Sequence, residues 1–234
     1  MLVSSSVIET VSGRFVDIAN PNPADIIPSD IAWALSHIPR FCGHTKHALP
    51  YTVAQHSIRV ADIVREVFTF GSEIRLAAIE YFTSNPINTI EYFLFCDVLK
   101  FIKEEEECPR SLYLYALLHD ASEVFCSDLP SPVKSLPGLK EAYAEIEDRM
   151  MSVIHKRFGL ERDIILNGKV MHAITHWADL YARTIEAYHL MPSKGLHWRT
   201  GNVKVSQEQL QNFDGPMEQD QVYKDFLECL TDFT

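Results

Sequence analysis

Three polar residues interrupt the run 112–128, in which most side chains are apolar. They are His119, Asp120 and Glu123. The apolar positions around them predict a helix that is apolar on nearly every side and therefore lies inside a domain. Because a buried polar group without a partner costs roughly 1 to 3 kcal/mol, and an ionised group more, these side chains need partners or a metal ion. On a helix Glu123 shares a face with both others, so the trio predicts a metal-binding or acid–base cluster, or a core histidine satisfied by a carboxylate.

A second histidine points to the interior from the helix that we expect over about 53–68. Thr52 and Gln55 have the spacing of a capping box, in which both side chains bind the first backbone N–H groups of a helix. His56 leads an apolar stripe, so its side chain points inward as a core residue or as a ligand. The other members of the stripe are Val60, Ile63 and Val67.

A long helix predicted over about 163–190 carries two opposite stripes. The apolar stripe consists of Val170, Ile174, Trp177, Tyr181, Ile185 and Tyr188. The polar stripe consists of His172, His176, Asp179, Arg183 and Glu186. Periodicity alone places the polar stripe, including Asp179, in solvent.

Two metal-binding constellations compete in this sequence. The first uses His172, His176 and Asp179 of one helix, and its histidines have the i, i+4 spacing that binds zinc. The second gathers its ligands from three helices: His56, His119, Asp120 and Asp179. Spacing alone makes the single-helix site easier to build. Its lack of a buried environment, and of a Glu after the first His, favours a charged surface there instead.

Composition bounds the class of protein. The 234 residues are enough for one well-buried domain, and a formal net charge of −11 disfavours binding to a nucleic-acid polymer. Five cysteines without a Cys-x-x-Cys pair argue against a disulfide framework or a thiolate zinc site. With no long apolar run and no signal-peptide pattern, we expect a soluble, cytoplasmic protein that does not span a membrane.

The segment before His56 supplies candidate ligand contacts. Ser29 or Asp30 can cap a helix that runs through Ile38. The loop 40–45 then presents a cation and a ring, Arg40 and Phe41. This loop is either a plain connection or a site where Arg40 meets a phosphate and Phe41 meets a base.

The remaining segments are expected to be peripheral or supporting. A strand is predicted over 13–18, an amphipathic helix over 138–158, and a tight turn over 128–134 that leaves Asp128 and Lys134 near the polar cluster. We expect a loosely held tail over 1–11, a helical insertion over about 70–110 with Asn85–Pro86 inside it, and a peripheral segment over about 193–234 with a weak helix signal at 217–230.

The ordered pattern His56, then His119-Asp120-Ala-Ser-Glu123, then Asp179 resembles the HD-domain metal-dependent phosphohydrolases. The resemblance spans about residues 12–192 apart from the insertion, and it extends to the relatives of 5′-deoxynucleotidases and phage dATP triphosphohydrolases. It departs from them at Cys42, where a Gly is common, and at Phe41, near where some deoxynucleotidases have Trp. Further matching motifs lie at 13–16, 40–45, 51–57, 118–123, 128–134 and 157–160.

The resemblance implies an all-α, single-domain HD helical bundle with a small N-terminal irregular or β segment. It implies that His56, His119, Asp120 and Asp179 hold a divalent ion, namely Mn²⁺, Co²⁺, Mg²⁺, Zn²⁺ or Fe²⁺. Glu123 is implied as the acid or base beside that ion, with Asp120 also catalytic. The implied substrate contacts are Asp128 to the sugar hydroxyl, Arg40 and Lys134 to phosphate, and Phe41 or Trp33 to the base.

Two functions follow as expectations, and a structural zinc protein built on His172, His176 and Asp179 is a third. The first is hydrolysis of a deoxynucleotide, either removal of phosphate from a monophosphate or of tripolyphosphate from a dATP-type substrate. The second is a regulatory module that binds a nucleotide without turnover. Glu123 favours the enzyme, because a pure binder has no need of a positioned proton carrier. The expected partner is a small nucleotide, and a homo-oligomer is possible.

Overall fold

The computed structural model describes residues 6–84, 88–198 and 202–232. These residues contain eleven α-helices and one two-stranded sheet. Strands β1 (Val7–Glu9) and β2 (Phe15–Asp17) pair antiparallel. The all-α fold expected from the sequence is confirmed, with this small sheet at its N-terminus. The α-helices are α1 (Pro28–His37), α2 (Val53–Val67), α3 (Glu73–Ser84), α4 (Thr89–Glu104), α5 (Arg110–Leu117), α6 (Glu123–Cys126), α7 (Ser131–Lys134), α8 (Lys140–Arg157), α9 (Glu161–Leu190), α10 (Gln207–Gln211) and α11 (Gln219–Thr231).

Helix α2 lies at the centre of the bundle. It packs against α1, α3, α5, α9 and α11, and the apolar stripe that begins after His56 is buried among them. Trp177, Tyr181 and Phe226 are the largest fully buried side chains of the core. The inward direction predicted for His56 is confirmed, since its side chain is fully buried.

The start of α2 uses only half of the predicted capping box. Oγ1 of Thr52 accepts a hydrogen bond from the N–H of Gln55 at 3.3 Å. The side chain of Gln55 does not return this bond. It donates instead to the carbonyl of Gly215 at 3.1 Å and accepts from the N–H of Met217 at 3.3 Å. Gln55 therefore ties the C-terminal segment to the first turn of α2.

The continuous helix predicted over 112–128 is wrong, because α5 ends at Leu117 and α6 begins at Glu123. Nδ1 of His119 binds the carbonyl of Ala116 at 2.8 Å. In a continuing helix that carbonyl would accept the N–H of Asp120. The tight turns between the helices are closed by bonds such as that from the N–H of Glu123 to the carbonyl of Asp120, at 3.0 Å. His119 and Asp120 thus lie in a break between helices.

The predicted cap of the first helix is also wrong. Helix α1 starts at Pro28, and Ile27 precedes it without a side-chain cap. The carboxylate of Asp30 is instead buried, where Oδ2 accepts the hydroxyls of Thr10 and Ser12 at 2.6 and 2.7 Å. These bonds attach the turn between β1 and β2 to α1. The expected loose tail is therefore ordered from residue 6 onward, and residues 1–5 lie outside the described residues.

The segments proposed as insertion and periphery both contact the bundle. Helix α3 packs on α2, and α4 packs on α3 and α9. Asn85 and Pro86 lie outside the described residues. Helix α11 packs on α1 and α2 and buries Val222, Phe226 and Leu230, so it belongs to the core. Among the described helices, none has the length and apolar character needed to cross a bilayer.

Candidate metal centre and active site

Two histidine rings converge from α2 and from the break after α5. Their centroids lie 5.2 Å apart. Nδ1 of His56 lies 2.7 Å from Oε1 of Glu186, and Nδ1 of His119 lies 2.8 Å from the carbonyl of Ala116. Because a carboxylate or a carbonyl only accepts, each Nδ1 carries the hydrogen, and each Nε2 points into the shared space. Metal-binding histidines are oriented in this way by a second hydrogen bond.

Two carboxylates complete the cluster. Oδ1 of Asp179 lies 3.1 Å from Nε2 of His56. Oδ2 of Asp120 lies 3.7 Å from Nε2 of His56 and 3.2 Å from Nε2 of His119. Ligand atoms of His56, His119 and Asp179 all lie within 4.8 Å of one another. The structure thus brings together the four residues of the three-helix constellation.

The cluster fits a divalent ion. The Nε2 atoms of His56 and His119 are buried, lie 3.1 and 3.2 Å from the carboxylates of Asp179 and Asp120, and have no aligned hydrogen-bond partner among the described residues. Each can bind an ion when it is unprotonated. Two imidazole nitrogens and two carboxylate oxygens form a donor set that suits Mn²⁺, Co²⁺, Fe²⁺ or Zn²⁺ and leaves positions for other ligands. A bound ion would also satisfy these two buried nitrogens.

The competing single-helix site is not assembled. His172 and His176 are exposed, and their rings stack in parallel with centroids 6.0 Å apart. Asp179 turns away from them toward His56. The expectation that Asp179 is solvated like these histidines is wrong, because α9 runs from the surface into the bundle and its polar stripe becomes buried.

Nearby positive charge lowers the pKa of both carboxylates of the cluster, Asp120 and Asp179. Burial would raise the pKa of Asp120, but His119, His56 and Arg40 outweigh it and hold that pKa well below its usual range. The pKa of Asp179 is likewise lowered, against its burial, chiefly by His56. Both groups are therefore ionised at neutral pH, as metal ligation requires.

Glu123 differs from these two carboxylates. Burial, followed by the charges of Asp120 and Asp128, raises the pKa of Glu123 to about 10. Nζ of Lys134 lies 3.6 Å from Oε1 of Glu123 and 2.9 Å from Oε1 of Glu147. Oε2 of Glu123 is buried and has no hydrogen-bond partner within the described part of the chain. Glu123 thus holds a proton at neutral pH beside the candidate metal ligands. Perturbed carboxyl groups of this kind are typical of acid–base catalysis.

Arg40 is held at the cluster by the backbone that leads into α2. Its N–H donates to the carbonyl of Tyr51 at 2.8 Å, next to a bridge between Pro39 and Thr52. Its guanidinium is buried, 3.4 Å from Oδ2 of Asp120 and 3.4 Å from Oε2 of Glu186. Arg40 is therefore engaged by carboxylates at the position where a phosphate contact was expected.

The residue after Arg40 has a strained backbone. Phe41 and Cys42 have φ of 56° and 52°, in the left-handed region that costs a non-glycine residue of order 1 kcal/mol or more. This conformation sets the Phe41 ring beneath the guanidinium of Arg40, at 5.4 Å, and against the Trp198 ring, at 5.5 Å. An aromatic pair thus adjoins Arg40.

The other expected substrate contacts have different surroundings. Asp128 follows Ser127, which has φ of 66° and whose carbonyl accepts the Tyr143 hydroxyl at 2.6 Å. Burial raises the pKa of Asp128, and its charge acts on Arg40 and Glu123, so it faces the cluster. Trp33, 37% exposed, stacks on His37 at 4.4 Å and meets Tyr223 at 5.6 Å, on the side of α1 that faces α11.

Comparison with known proteins agrees with this arrangement. A family model described as 5'-deoxynucleotidase YfbR-like matches residues 89–167. An uncharacterized protein of Rhodobacter capsulatus is 30% identical over 178 residues, which cover 76% of this chain and 69% of that protein. The chain belongs to the same family as this Rhodobacter protein, and the match to the family model supports an HD-type phosphohydrolase. Uncharacterized protein YfdR of Escherichia coli (strain K12) is 28% identical over 193 residues, covering 82% of this chain and 77% of that relative.

HD-type phosphohydrolases are metal-dependent, and the group formed by His56, His119 and Asp179 is where this chain can bind the ion. The resemblance to this family seen in the sequence is thereby confirmed at the level of an HD-type phosphohydrolase. The family model does not separate a triphosphohydrolase from a monophosphatase.

Sequence reasoning missed four residues of this HD-type site. Glu186 and Tyr51 lie behind His56, Glu147 shares Lys134 with Glu123, and Trp198 pairs with Phe41. Glu186 lies seven residues after Asp179 on the same helical stripe, and this spacing is the signal that could have identified it. The other three come from distant segments, and the sequence carries no local signal for their contacts.

Proposed function

We propose that this protein is a metal-dependent phosphatase of deoxynucleoside 5′-monophosphates. The observation that carries the proposal is the convergence of the buried Nε2 atoms of His56 and His119 with the carboxylates of Asp179 and Asp120. Lys134, which lies 3.6 Å from the buried Glu123, is beside them. The match to a family model described as 5'-deoxynucleotidase YfbR-like supports the substrate class. Localisation to the cytoplasm and homo-oligomerisation remain part of the proposal.

The chain's own residues would hold the metal ion, bind the phosphate group and supply a proton to the leaving group. His56, His119, Asp120 and Asp179 would hold a divalent ion, which supplies Lewis acidity toward a phosphoryl oxygen and lowers the pKa of water. Arg40 and Lys134 would hold the phosphate oxygens, since each cation lies next to the cluster. A bidentate arginine contact would fix the phosphate's orientation as well as its charge.

The proton that Glu123 holds suits a general acid. As the water oxygen bonds to phosphorus and the bond to the 5′-oxygen breaks, Glu123 would give its proton to that oxygen, which leaves as the nucleoside hydroxyl. The proton lost by the water then restores Glu123. One water is consumed, and one nucleoside and one orthophosphate are formed. General acid help of this kind is worth about 10² to 10⁴ in rate.

Charge favours a monophosphate over a triphosphate. A triphosphate carries about four negative charges at neutral pH and needs more cations or a second ion. Arg40 and Lys134 are both already paired with carboxylates, namely Asp120, Glu186, Glu123 and Glu147. The exposed residues His44, Lys46 and His47 of the loop 40–50 are the donors that a dATP-type triphosphate would need.

The sugar and base contacts complete the proposal. Asp128 is assigned to the sugar hydroxyl, and its position is fixed by the turn that Tyr143 binds. Phe41, with Trp198, is assigned to the base, since this pair adjoins Arg40. Trp33, the other base contact expected from the sequence, packs toward α11 and is the second choice.

Product analysis tests the proposal. All four deoxynucleotides are supplied as mono-, di- and triphosphates, with Mg²⁺, Mn²⁺ and Co²⁺ tested separately. We expect orthophosphate from monophosphates, with deoxyribose preferred over ribose. Tripolyphosphate from dATP alone would replace the proposal with the triphosphohydrolase, and binding without any product would favour the regulatory module.

A further inference from the structure

One buried carboxylate, that of Glu186, contacts both halves of the proposed site. Its Oε1 accepts the Nδ1–H of His56 at 2.7 Å and the hydroxyl of Tyr51 at 3.0 Å. Its Oε2 lies 3.4 Å from Nε of Arg40. Since His56 is a candidate metal ligand and Arg40 a candidate phosphate ligand, Glu186 lies between the two functions.

The burial of Glu186 is too complete for an incidental contact. Its side chain is 0% exposed, and an ionised carboxylate in such a place is costly unless charged and hydrogen-bonded partners compensate it. The two oxygens have different partners. Oε1 has two hydrogen bonds, whereas Oε2 of Glu186 and Nε of Arg40 attract each other by charge without an aligned hydrogen bond.

We propose that Glu186 is a positioning residue that couples metal binding at His56 to phosphate binding at Arg40. It fixes the His56 ring so that Nε2 faces the metal site, and its second oxygen restrains the guanidinium beside that site. The proposal rests on the proposed function, since it assumes that His56 binds metal and Arg40 binds phosphate. Glu186 itself touches neither metal nor substrate.

The contact of Glu186 with His56 (the His56 arm) and its contact with Arg40 (the Arg40 arm) can be separated by substitution. In Glu186→Gln, the amide oxygen can still accept from His56 and Tyr51, but the amide NH₂ then faces the Nε–H of Arg40, donor against donor. This variant therefore damages the Arg40 arm most. Tyr51→Phe removes one donor from Oε1 and leaves the charge facing Arg40, so it weakens only the His56 arm.

Binding measurements with Co²⁺ and orthophosphate test the proposal without turnover. Metal-stripped protein is titrated with Co²⁺ by calorimetry and visible absorption, and the Co²⁺-loaded protein is then titrated with orthophosphate. Loss of an outer-shell partner typically costs 10- to 100-fold in metal affinity, but Gln keeps its hydrogen bond to His56. We therefore expect Glu186→Gln to weaken Co²⁺ only about threefold and orthophosphate about tenfold. Tyr51→Phe should weaken Co²⁺ by about threefold and change orthophosphate binding by less than about twofold, since one neutral hydrogen bond is lost.

Two further variants separate positioning from packing. Tyr181→Phe removes a hydroxyl from another buried residue of α9 and should leave both affinities unchanged. Glu186→Asp keeps the charge for Arg40 and should bind orthophosphate at least about threefold better than Glu186→Gln, because ion pairing survives. Equal weakening by Asp and Gln would assign Glu186 to packing and overturn the proposal, as would wild-type affinities in Glu186→Gln.

The result stays distinct from the test of the proposed function. A wild-type protein that binds Co²⁺ and orthophosphate but hydrolyses no deoxynucleotide would refute the phosphatase assignment. The variant series would still show whether Glu186 couples the two ligands. If Arg40→Ala binds orthophosphate as tightly as the wild type does, the coupling is refuted directly.

Discussion

Oδ1 of Asp179 lies 3.1 Å from Nε2 of His56, although the two residues belong to helices that are far apart in the sequence, α9 and α2. The pair joins α9 to α2 beside Asp120 and His119. We therefore expect Asp179→Ala to lose bound metal and activity. The same loss is expected for Ala at His56, His119 or Asp120. Elemental analysis of the purified variants measures the metal content, and full retention by Asp179→Ala would contradict the four-ligand site.

His172→Ala is the matched control for Asp179→Ala. His172 lies on the same helix as Asp179, is exposed, and stacks only on its neighbour His176 among the ring contacts described. We expect its metal content to equal that of the wild type. Loss of metal from His172→Ala would revive the single-helix site.

Glu123→Gln should separate binding from chemistry. Gln keeps the shape of the side chain but cannot hand over a carboxylic proton, so turnover should fall by about 10² to 10⁴ while metal and substrate still bind. Steady-state kinetics with dAMP, together with metal analysis, measures both. Near-normal turnover would remove Glu123 from the mechanism.

The same substitution should stabilise the metal-free protein, increasingly so at higher pH. The pKa of Glu123 is raised from 4.5 to about 10 in the folded state. Below about pH 4.5 the folded and unfolded chains both hold the proton, so Glu and Gln behave alike. Above that pH the unfolded chain releases the proton while the folded chain retains it, and the wild type therefore loses stability until the pH passes about 10.

Urea unfolding of the metal-free proteins at pH 5, 7 and 8 measures this difference. We expect Glu123→Gln to gain about 1 to 3 kcal/mol at pH 8 relative to the wild type, since Lys134 keeps Glu147 as a partner. The gain should shrink toward pH 5. A pH-independent difference would mean that Glu123 is ionised in the folded state.

Metal affinity should rise with pH as His56 loses a proton. Burial and Arg40 lower the pKa of His56, but Glu186 and Asp179 outweigh them and raise it to about 9. Because Nε2 must be unprotonated to bind a metal, Co²⁺ must displace one proton below that pH. Calorimetry in two buffers of different ionisation enthalpy should show about one proton released per Co²⁺ at pH 7, with affinity rising about tenfold per pH unit. Affinity that does not change between pH 6 and 8 would contradict this account.

Much of the bundle could be predicted because its signals are local. The apolar stripe after His56 and the Thr52 cap depend on residues one or two turns apart, and both predictions hold. The amphipathic helices over 138–158 and 163–190 were predicted for the same reason, with ends within three residues of those observed. Periodicity reports which face of a helix is buried when its surroundings are uniform along its length.

The remaining features depend on contacts between distant segments. At the break after Leu117, Nδ1 of His119 binds the carbonyl of Ala116, and the His119 ring lies beside His56 of a distant segment. Helix α9 has 30 residues and passes from solvent to core, so a single stripe contains exposed His172 and buried Glu186. No periodicity along such a helix distinguishes these two environments.

Reconstitution of activity tests the central claim most directly. Wild-type protein and Asp179→Ala are stripped of metal with a chelator, and orthophosphate release from dAMP is measured before and after addition of Co²⁺ or Mn²⁺. We predict no release from either stripped protein, full release from the reconstituted wild type, and none from Asp179→Ala under the same conditions. Equal release from stripped and reconstituted wild type, or from wild type and Asp179→Ala, would contradict a metal-dependent phosphatase built on this cluster.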